Sequence, residues 1–300
     1  MKELGLALGG GGLKGLAHIG VLQVLAARGI PVAMISGTSA GSLIAALYAS
    51  GMSPRQMERA ALELKPSDYL DYNVGGLLKA LAGFLVPGLG APVDGVLKGD
   101  KLEQLVYRFT RGQSLRDVKM PLAIIACDID TGREIIFTNR KMPEAGNTVI
   151  IYDALLSEAV RASCSIPATF VPYDFQGMQL VDGGVRSIVP VTVQKALGAE
   201  YTLAINLGQE SYHTPVEGIP QIVGRTLNIL TYETSATEQA LLADLAVYPG
   251  LSGVKLDDLD RAEQIIRAGR RAMREKIPEL EAGLQEKPRT HGKTSPHKAG

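Results

Sequence analysis

A serine between small residues, placed early in the chain, limits the folds open to this sequence more than any other feature. Residues 34–41 predict the end of an apolar strand, a sharp turn and the start of a helix. The motif at residues 37–41, G-T-S-A-G, fits the G-x-S-x-G nucleophile elbow, in which small residues let the strand and the helix pack closely. We expect Ser39 on the turn, with its hydroxyl at the helix N-terminus and with Gly37 and Gly41 supporting it.

The segments around this serine alternate between strand and helix. Apolar runs at 4–8 and 32–35 are predicted strands, and residues 13–28 and 40–50 have the pattern of helices that end at a glycine. Strand, helix, strand and helix at this spacing are typical of a mainly parallel sheet with helices on both faces. We therefore predict an α/β fold.

The rest of the chain continues this pattern, and we predict one domain over residues 1–285, with core motifs within 4–210 and C-terminal helices within 220–285. Further strands are expected at 122–128, 134–138, 178–181 and 201–205, the last being the final strand of the sheet. Further helices are expected at 100–109, 154–163, 220–245 and 257–276. Residues 66–100 are apolar but broken by glycine and proline, which favours a cap, and the polar tail 286–300 is expected to be disordered.

Composition argues against several classes of protein. The 31 basic and 31 acidic residues balance, so charge gives no argument for nucleic-acid binding. Cys127 and Cys164 lack metal-ligand spacing and are expected to be buried and reduced, as in a cytoplasmic protein, and we expect no metal or cofactor.

The N-terminus lacks the pattern of a secretion signal. Residues 29–54 carry no charge, but the polar turn in their middle favours a buried strand and helix over a membrane span.

Two further motifs are predicted to meet the serine at the carboxyl ends of parallel strands, where functional groups of α/β sheets gather. The first is the glycine-rich loop at 9–15, whose main-chain N–H groups can hold a phosphate or a developing oxyanion. The second is Asp182, which ends a strand and is followed by two glycines. The loop also matches a dinucleotide-binding fingerprint, but no acidic residue occurs between Leu4 and Met57 to hold a ribose, which argues against that alternative.

The histidines leave two arrangements open for activating the serine. A triad of Ser39, Asp182 and His213 would follow the order of the α/β-hydrolases, but His213 lies in a polar segment expected to be an exposed loop. His18 lies inside the first helix and is expected to be a packed or capping side chain. In the other arrangement Asp182 takes the proton from Ser39 directly, because a partly desolvated carboxylate is a better base.

Together these motifs resemble those of the patatin-like phospholipases, a family of lipid acyl hydrolases with a three-layer α/β/α fold. The resemblance covers roughly residues 4–210 and also includes the stretches at 126–132 and 162–167. It implies a catalytic dyad of Ser39 and Asp182 and an oxyanion hole of main-chain N–H groups. The hole would be formed by Gly10, Gly11 and Gly12, and the supporting motif positions are Lys14, Gly15, Gly37, Gly41, Gly183 and Gly184.

The resemblance implies a carboxylic ester hydrolase of the phospholipase A or lysophospholipase type, with a lipid or ester substrate. The apolar cap segment adds the expectation of a transient contact with a membrane surface. The sequence departs from the family pattern at Ile188, where many relatives carry asparagine. A function of another class stays open, namely a non-catalytic lipid-binding or regulatory protein on the same fold, because a fold does not determine function.

Overall fold

The computed structural model describes residues 1–75, 95–143, 146–208, 215–251, 253–254 and 259–286. Its strands are β1 (Leu4–Leu8), β2 (Met34–Thr38), β3 (Gly95–Leu97), β4 (Leu122–Asp128), β5 (Glu134–Thr138), β6 (Thr148–Ile151), β7 (Ala168–Phe170), β8 (Tyr173–Phe175), β9 (Met178–Asp182), β10 (Tyr201–Ile205) and β11 (Leu245–Val247).

The α-helices of the same residues are α1 (Ala17–Ala27), α2 (Ala40–Ala49), α3 (Pro54–Glu63), α4 (Pro66–Tyr69), α5 (Asp100–Phe109), α6 (Leu156–Ser163), α7 (Val191–Ala196), α8 (Gly218–Leu242) and α9 (Ala262–Gln285). Short 3₁₀ turns occupy Gly12–Leu16, Leu115–Asp117, Gly183–Val185 and Leu259–Arg261. Within the described ranges, no helix combines the length and apolar character needed to cross a bilayer.

The central sheet runs in the order β11-β10-β1-β2-β4-β5-β6, and β9 with its partner β8 joins it through β4. The pairs from β11 to β4 are all parallel, whereas β5 and β9 run antiparallel to β4. A separate two-stranded sheet pairs β3 with β7. The mainly parallel sheet with helices on both faces confirms the predicted α/β fold.

The two faces of β1 show why the sequence folds in this way. Every residue of β1 is buried, as expected of a central parallel strand covered on both sides. Leu6 and Leu8 belong to the large core cluster with residues of α1 and α9, whereas Ala7 packs with Val189 and Val191 on the opposite face. The alternation of side chains along a strand thus assigns successive residues to different helix layers.

One edge of β4 is shared by β2 and β9, which brings the predicted site together. β5 pairs along Ala123–Cys127 on the other edge, so β2 and β9 occupy the same remaining edge. β2 runs parallel to β4 and ends with Thr38 opposite Ile125, and β9 runs antiparallel and ends with Asp182 opposite Ala126. The carboxyl ends of the two strands therefore meet head to head.

Several element predictions are corrected. The second strand covers Met34–Thr38 rather than 32–35, because pairing with β1 and β4 carries Ser36 and Gly37 into the sheet despite their low apolar character. The strand at 201–205 is not the last strand of the sheet, because β11 follows it in the chain and pairs with it. Helix α8, which was predicted to reach residue 245, ends at Leu242. Helix α9 continues past Pro278 because Leu280 and Leu284 still pack in the core.

Some expectations fall outside the described residues. These are most of the cap segment, at 76–94, and the tail from residue 287 onward. His213 also lies outside them. That residues 1–285 form one domain remains our inference, supported by a core cluster that contains both Leu4 and Leu284.

Helix α9 packs closely on α1 through two glycines. A Cβ atom at Gly20 would lie 2.1 Å from the Ile266 carbonyl oxygen, and one at Gly269 would lie 1.9 Å from the Ala17 carbonyl oxygen. Such approaches are far below any contact that a real Cβ atom makes, so the backbones can only meet where side chains are missing.

We predict that Gly269→Ala lowers the free energy of unfolding by about 1–3 kcal/mol, because the added methyl group forces the two helices apart. Gly224→Ala is the matched control. Gly224 also lies inside a helix, but its Cβ would meet no atom of the described residues within 4 Å, so this change should stabilise the protein by up to about 1 kcal/mol. Chemical denaturation of both variants measures the difference, and equal effects would contradict the packing argument.

Candidate active site

The strained backbone of Ser39 turns the chain from β2 into α2. Ser39 has φ 53° and ψ −126° and is only 4% exposed. The turn is possible because glycines line it: a Cβ at Gly37 would lie 2.4 Å from the Gly41 carbonyl oxygen, and one at Gly41 would lie 2.1 Å from the Leu8 carbonyl oxygen. The predicted elbow motif therefore forms, with its glycines serving close approach of strand and helix.

The carboxyl group of Asp182 is buried and faces the Ser39 hydroxyl. Asp182 is 7% exposed, its Oδ1 accepts the Gly184 N–H at 2.7 Å, and the Ser39 side chain lies close enough to its carboxylate to lower the pKa of that group. Burial raises the pKa of Asp182 to about 6, and the Ser39 side chain and the Gly184 N–H oppose that rise. The carboxylate is thus a stronger base than an exposed aspartate and is still ionised at neutral pH.

The glycine-rich loop presents main-chain N–H groups beside this pair, although not all of those predicted. The N–H of Gly10 donates to the Ile188 carbonyl oxygen at 3.0 Å and is therefore engaged. Among the described residues, no acceptor meets the N–H groups of Gly11, Gly12 or Ala40. Ala40 follows the nucleophile position, where its N–H starts helix α2, and the sequence interpretation did not include it.

The remaining motif glycines permit close contacts around the site. A Cβ at Gly15 would lie 2.5 Å from the Ala40 Cβ, and one at Gly183 would lie 2.2 Å from the Ile125 carbonyl oxygen. A Cβ at Gly184 would lie 2.6 Å from the Ile188 side chain, which fills the space next to Asp182. Ile188 therefore packs beside the site.

One basic side chain, Lys14, lies in the glycine-rich loop and another, His18, follows it, and both are buried. Burial lowers the pKa of Lys14 to about 8, with a further lowering from Arg225. Burial lowers the pKa of His18 to about 4, although its bond to Gly9 opposes the change, so the imidazole is neutral. His18 Nε2 lies 2.8 Å from the Gly9 carbonyl oxygen, and because a carbonyl only accepts, Nε2 carries the hydrogen. His18 is thus a packed side chain, as predicted.

One residue that contacts Ser39 was not singled out from the sequence. The main-chain N–H of Ser39 donates to Ser163 Oγ at 2.9 Å, and Ser163 is fully buried at the end of α6. The only sequence signal for it is its membership in the motif at 162–167. Cys127 and Cys164 are free and buried, and in the described part of the chain no cluster of three or more His, Cys, Asp or Glu side chains could hold a metal ion.

Comparison with known proteins places these features in a family. The family model described as patatin-like phospholipase matches residues 6–193, which is more than half of the chain. The sequence is 25% identical over 234 residues to an uncharacterized NTE family protein of Mycobacterium tuberculosis, covering 78% of this chain and 57% of that protein. It is 29% identical over 206 residues to lysophospholipase NTE1 of Mycosarcoma maydis, covering 69% of this chain and 10% of that protein.

The fold has a counterpart among solved structures. The crystal structure of VipD from Legionella pneumophila superposes with a TM-score of 0.50 at 14% sequence identity, covering 93% of this chain and 67% of that one. This similarity concerns the fold alone. The chain spans little more than half the length of the mycobacterial relative and a tenth of the fungal one. With the matched motifs and the α/β architecture in agreement, the chain belongs to the patatin-like phospholipase family.

Proposed function

We propose that this chain is a serine lipid acyl hydrolase that cleaves carboxylic esters of phospholipids or lysophospholipids with a Ser39–Asp182 dyad. The single observation that carries the proposal is that β2 and β9 end head to head and bring the Ser39 side chain next to the buried Asp182 carboxylate, whose pKa burial raises to about 6. Membership in the patatin-like phospholipase family supports the lipid ester as the substrate class.

The first half of the reaction forms an acyl-enzyme. Asp182 takes the proton of the Ser39 hydroxyl while Oγ attacks the ester carbonyl carbon, and the carbonyl oxygen becomes an oxyanion. When the tetrahedral intermediate collapses, the bond to the leaving alcohol breaks and the alcohol takes the proton from Asp182. In the second half, Asp182 takes a proton from water, the hydroxide attacks the acyl-serine, and Ser39 leaves with that proton as the fatty acid is released.

The oxyanion would be stabilised by main-chain N–H groups that have no acceptor among the described residues, those of Gly11, Gly12 and Ala40. Gly10, which donates to Ile188, would instead fix the shape of the loop. Such preorganised donors are worth about 10²–10³ in rate each, because they are aimed at charge that develops only in the transition state.

Transient contact with a lipid surface is part of the proposal, and the outer face of α8 supports it. Ile222, Ile229 and Leu230 on this helix are between 49% and 63% exposed. A cleft of about 110 Å³ lies between Leu230 and the turn that follows Asp182. Arg186, also exposed, lines the same cleft and adds a positive charge suited to anionic headgroups. The exposed apolar side chains of α8 thus lie beside the proposed site, at the point where we expect a lipid molecule to pass from the membrane into that site.

The central prediction concerns the dyad. Ser39→Ala should lower kcat/KM for a soluble short-chain ester by at least about 10⁴-fold, because no nucleophile remains. Asp182→Asn should lower it by about 10²–10⁴-fold, because the base is lost while its shape is kept. A fluorophosphonate probe should label the wild-type protein at Ser39 and leave Ser39→Ala unlabelled. Rates like those of the wild type in either variant would overturn the proposal.

His213→Ala separates the dyad from a triad. With a dyad, this variant should keep its rate within about twofold of the wild type. Loss of activity in a folded His213→Ala protein would assign a catalytic part to His213 and overturn the dyad. A wild-type protein that binds lipid but neither hydrolyses esters nor reacts with the probe would favour the non-catalytic alternative.

The pKa of Asp182 predicts a pH dependence for both activity and stability. Because the base must be ionised, kcat/KM should rise as the pH passes about 6 and level off above it. The folded-state pKa lies above the usual value of 3.8, so the native state binds the proton more tightly than the unfolded chain does. Stability from this group is therefore fully present below about pH 4 and is lost as the pH rises through about 6.

It follows that Asp182→Asn should raise the free energy of unfolding at pH 8 by about 1–3 kcal/mol while activity falls, because the amide carries no charge to desolvate. The exposed Asp174 on β8 gives the matched control, and Asp174→Asn should change neither quantity appreciably. Denaturation curves at pH 4 and pH 8 measure the effect. An Asp182→Asn protein that is less stable than the wild type at pH 8 would contradict it.

For membrane contact, Ile229→Glu should lower hydrolysis of phospholipid vesicles by about 10–100-fold, because a buried isoleucine side chain is worth about 1.5–3 kcal/mol. Hydrolysis of the soluble ester should stay within about twofold. Leu62→Glu on α3 is the control, since Leu62 and Ile229 are both 51% exposed. Unchanged vesicle hydrolysis would overturn the contact. A loss of thermal stability in Ile229→Glu alone would mean that the face packs on another part of the chain, which also counts against it.

A further inference from the structure

The Ser39 backbone creates a buried hydrogen-bond donor that the sheet does not satisfy. β2 pairs with β4 up to Thr38 and Ile125. At Ser39 the positive φ turns the chain out of the strand, so its N–H leaves the ladder while the residue remains buried. A buried donor without a partner is costly, and a non-glycine residue at positive φ persists only when its surroundings fix it.

Ser163 supplies the missing acceptor. Its Oγ accepts the Ser39 N–H at 2.9 Å and donates its own hydrogen to the Ile125 carbonyl oxygen at 2.5 Å. The hydroxyl therefore joins the nucleophile position to the strand β4 that both β2 and β9 share. Because one hydroxyl has a single hydrogen, its donation to Ile125 leaves the oxygen lone pairs to face the Ser39 N–H.

The residues just after Ser163 also contact the main chain of Asp182, the proposed base. The main-chain N–H of Asp182 donates to the Ser165 carbonyl oxygen at 2.9 Å. Ser165 is fixed in turn by Arg161, whose guanidinium donates to Ser165 Oγ at 2.5 Å, and Arg161 itself is 3% exposed. Residues 163–165, which we call the connecting turn, thus contact the main-chain N–H groups of both members of the proposed dyad.

We propose that Ser163 is a positioning residue: through the Ser39 N–H it holds the nucleophile in the strained conformation that directs its hydroxyl at Asp182. The inference rests on the proposed function and adds a residue to it. Ser163 touches neither substrate nor the reacting atoms and acts only through the Ser39 backbone. Loss of its hydroxyl lets the turn relax, and small displacements of a reacting group lower the rate more than they lower substrate binding.

The test compares Ser163→Ala with Ser157→Ala. Ser157 lies on the same helix, is 1% exposed, and its Oγ has no hydrogen-bond partner among the described residues. Both variants remove one buried oxygen from α6, but only the first removes the acceptor of the Ser39 N–H. The measurements are kcat and KM on a soluble ester, the rate of fluorophosphonate labelling, the final extent of labelling and the melting temperature.

Ser163→Ala should lower kcat and the labelling rate by about 10–100-fold, with KM within about twofold and complete final labelling. Ser157→Ala should leave all four kinetic quantities within about twofold of the wild type. Ser163→Cys, which keeps the size but offers only a weak acceptor, should show a loss of the same kind and carries the test if the alanine variant does not fold.

The inference is overturned if Ser163→Ala keeps the wild-type kcat and labelling rate, or if Ser157→Ala loses as much as Ser163→Ala. Failure of the proposed function looks different. In that case the wild-type protein itself neither hydrolyses the ester nor reacts with the probe, and it behaves like Ser39→Ala.

Discussion

Strand β4 offers one edge to two strands that run in opposite directions, and the position of the site follows from that pairing. β2 and β9 end opposite consecutive residues of β4, Ile125 and Ala126. A serine just past the end of β2 and an aspartate at the end of β9 must therefore lie next to one another, although 143 positions separate them in the chain. The register of the sheet, rather than any flexible loop, sets the distance between the two side chains.

The burial that makes the carboxylate basic also makes it costly. Asp182 is buried, and its polar partners are the Gly184 N–H, which donates to Oδ1, and the neighbouring Ser39 side chain. These partners lower the pKa, and burial raises it by more. The charge is thus stabilised enough to exist at neutral pH and destabilised enough to accept a proton, a balance that fits a group proposed to act as a general base.

The sequence predicts local motifs far better than it predicts the contacts between them. The elbow and the buried His18 follow from residue types at short spacing, and the structure places them as expected. By contrast, the engagement of Gly10 by Ile188 depends on a partner 178 positions away. Pattern and spacing carry no information about which remote carbonyl will face a given N–H. The role of Ser163 beneath Ser39 was missed for the same reason.

Strand boundaries were mispredicted where hydrogen bonding to neighbouring strands outweighed the secondary-structure preference of the residues. β2 includes a serine and a glycine because neighbours on both sides satisfy their main-chain groups. β11 is three residues long and begins shortly after a long helix ends. Its apolar residues therefore cannot be distinguished by composition from the last turn of that helix. In each case the deciding partner lies elsewhere in the chain, outside any window that a local reading can use.

The pairing of β10 with β1 has a consequence for where the folding unit ends. The region that matches the family stops at residue 193, yet β10 covers one edge of β1, and the Ile205 carbonyl oxygen accepts the N–H of Gly9 at the entrance of the glycine-rich loop. A fragment cut at that boundary would leave β1 with an unpaired edge, a template for aggregation, and would free the loop from its anchor. The region matched by the family model is therefore smaller than the set of strands that anchors its glycine-rich loop.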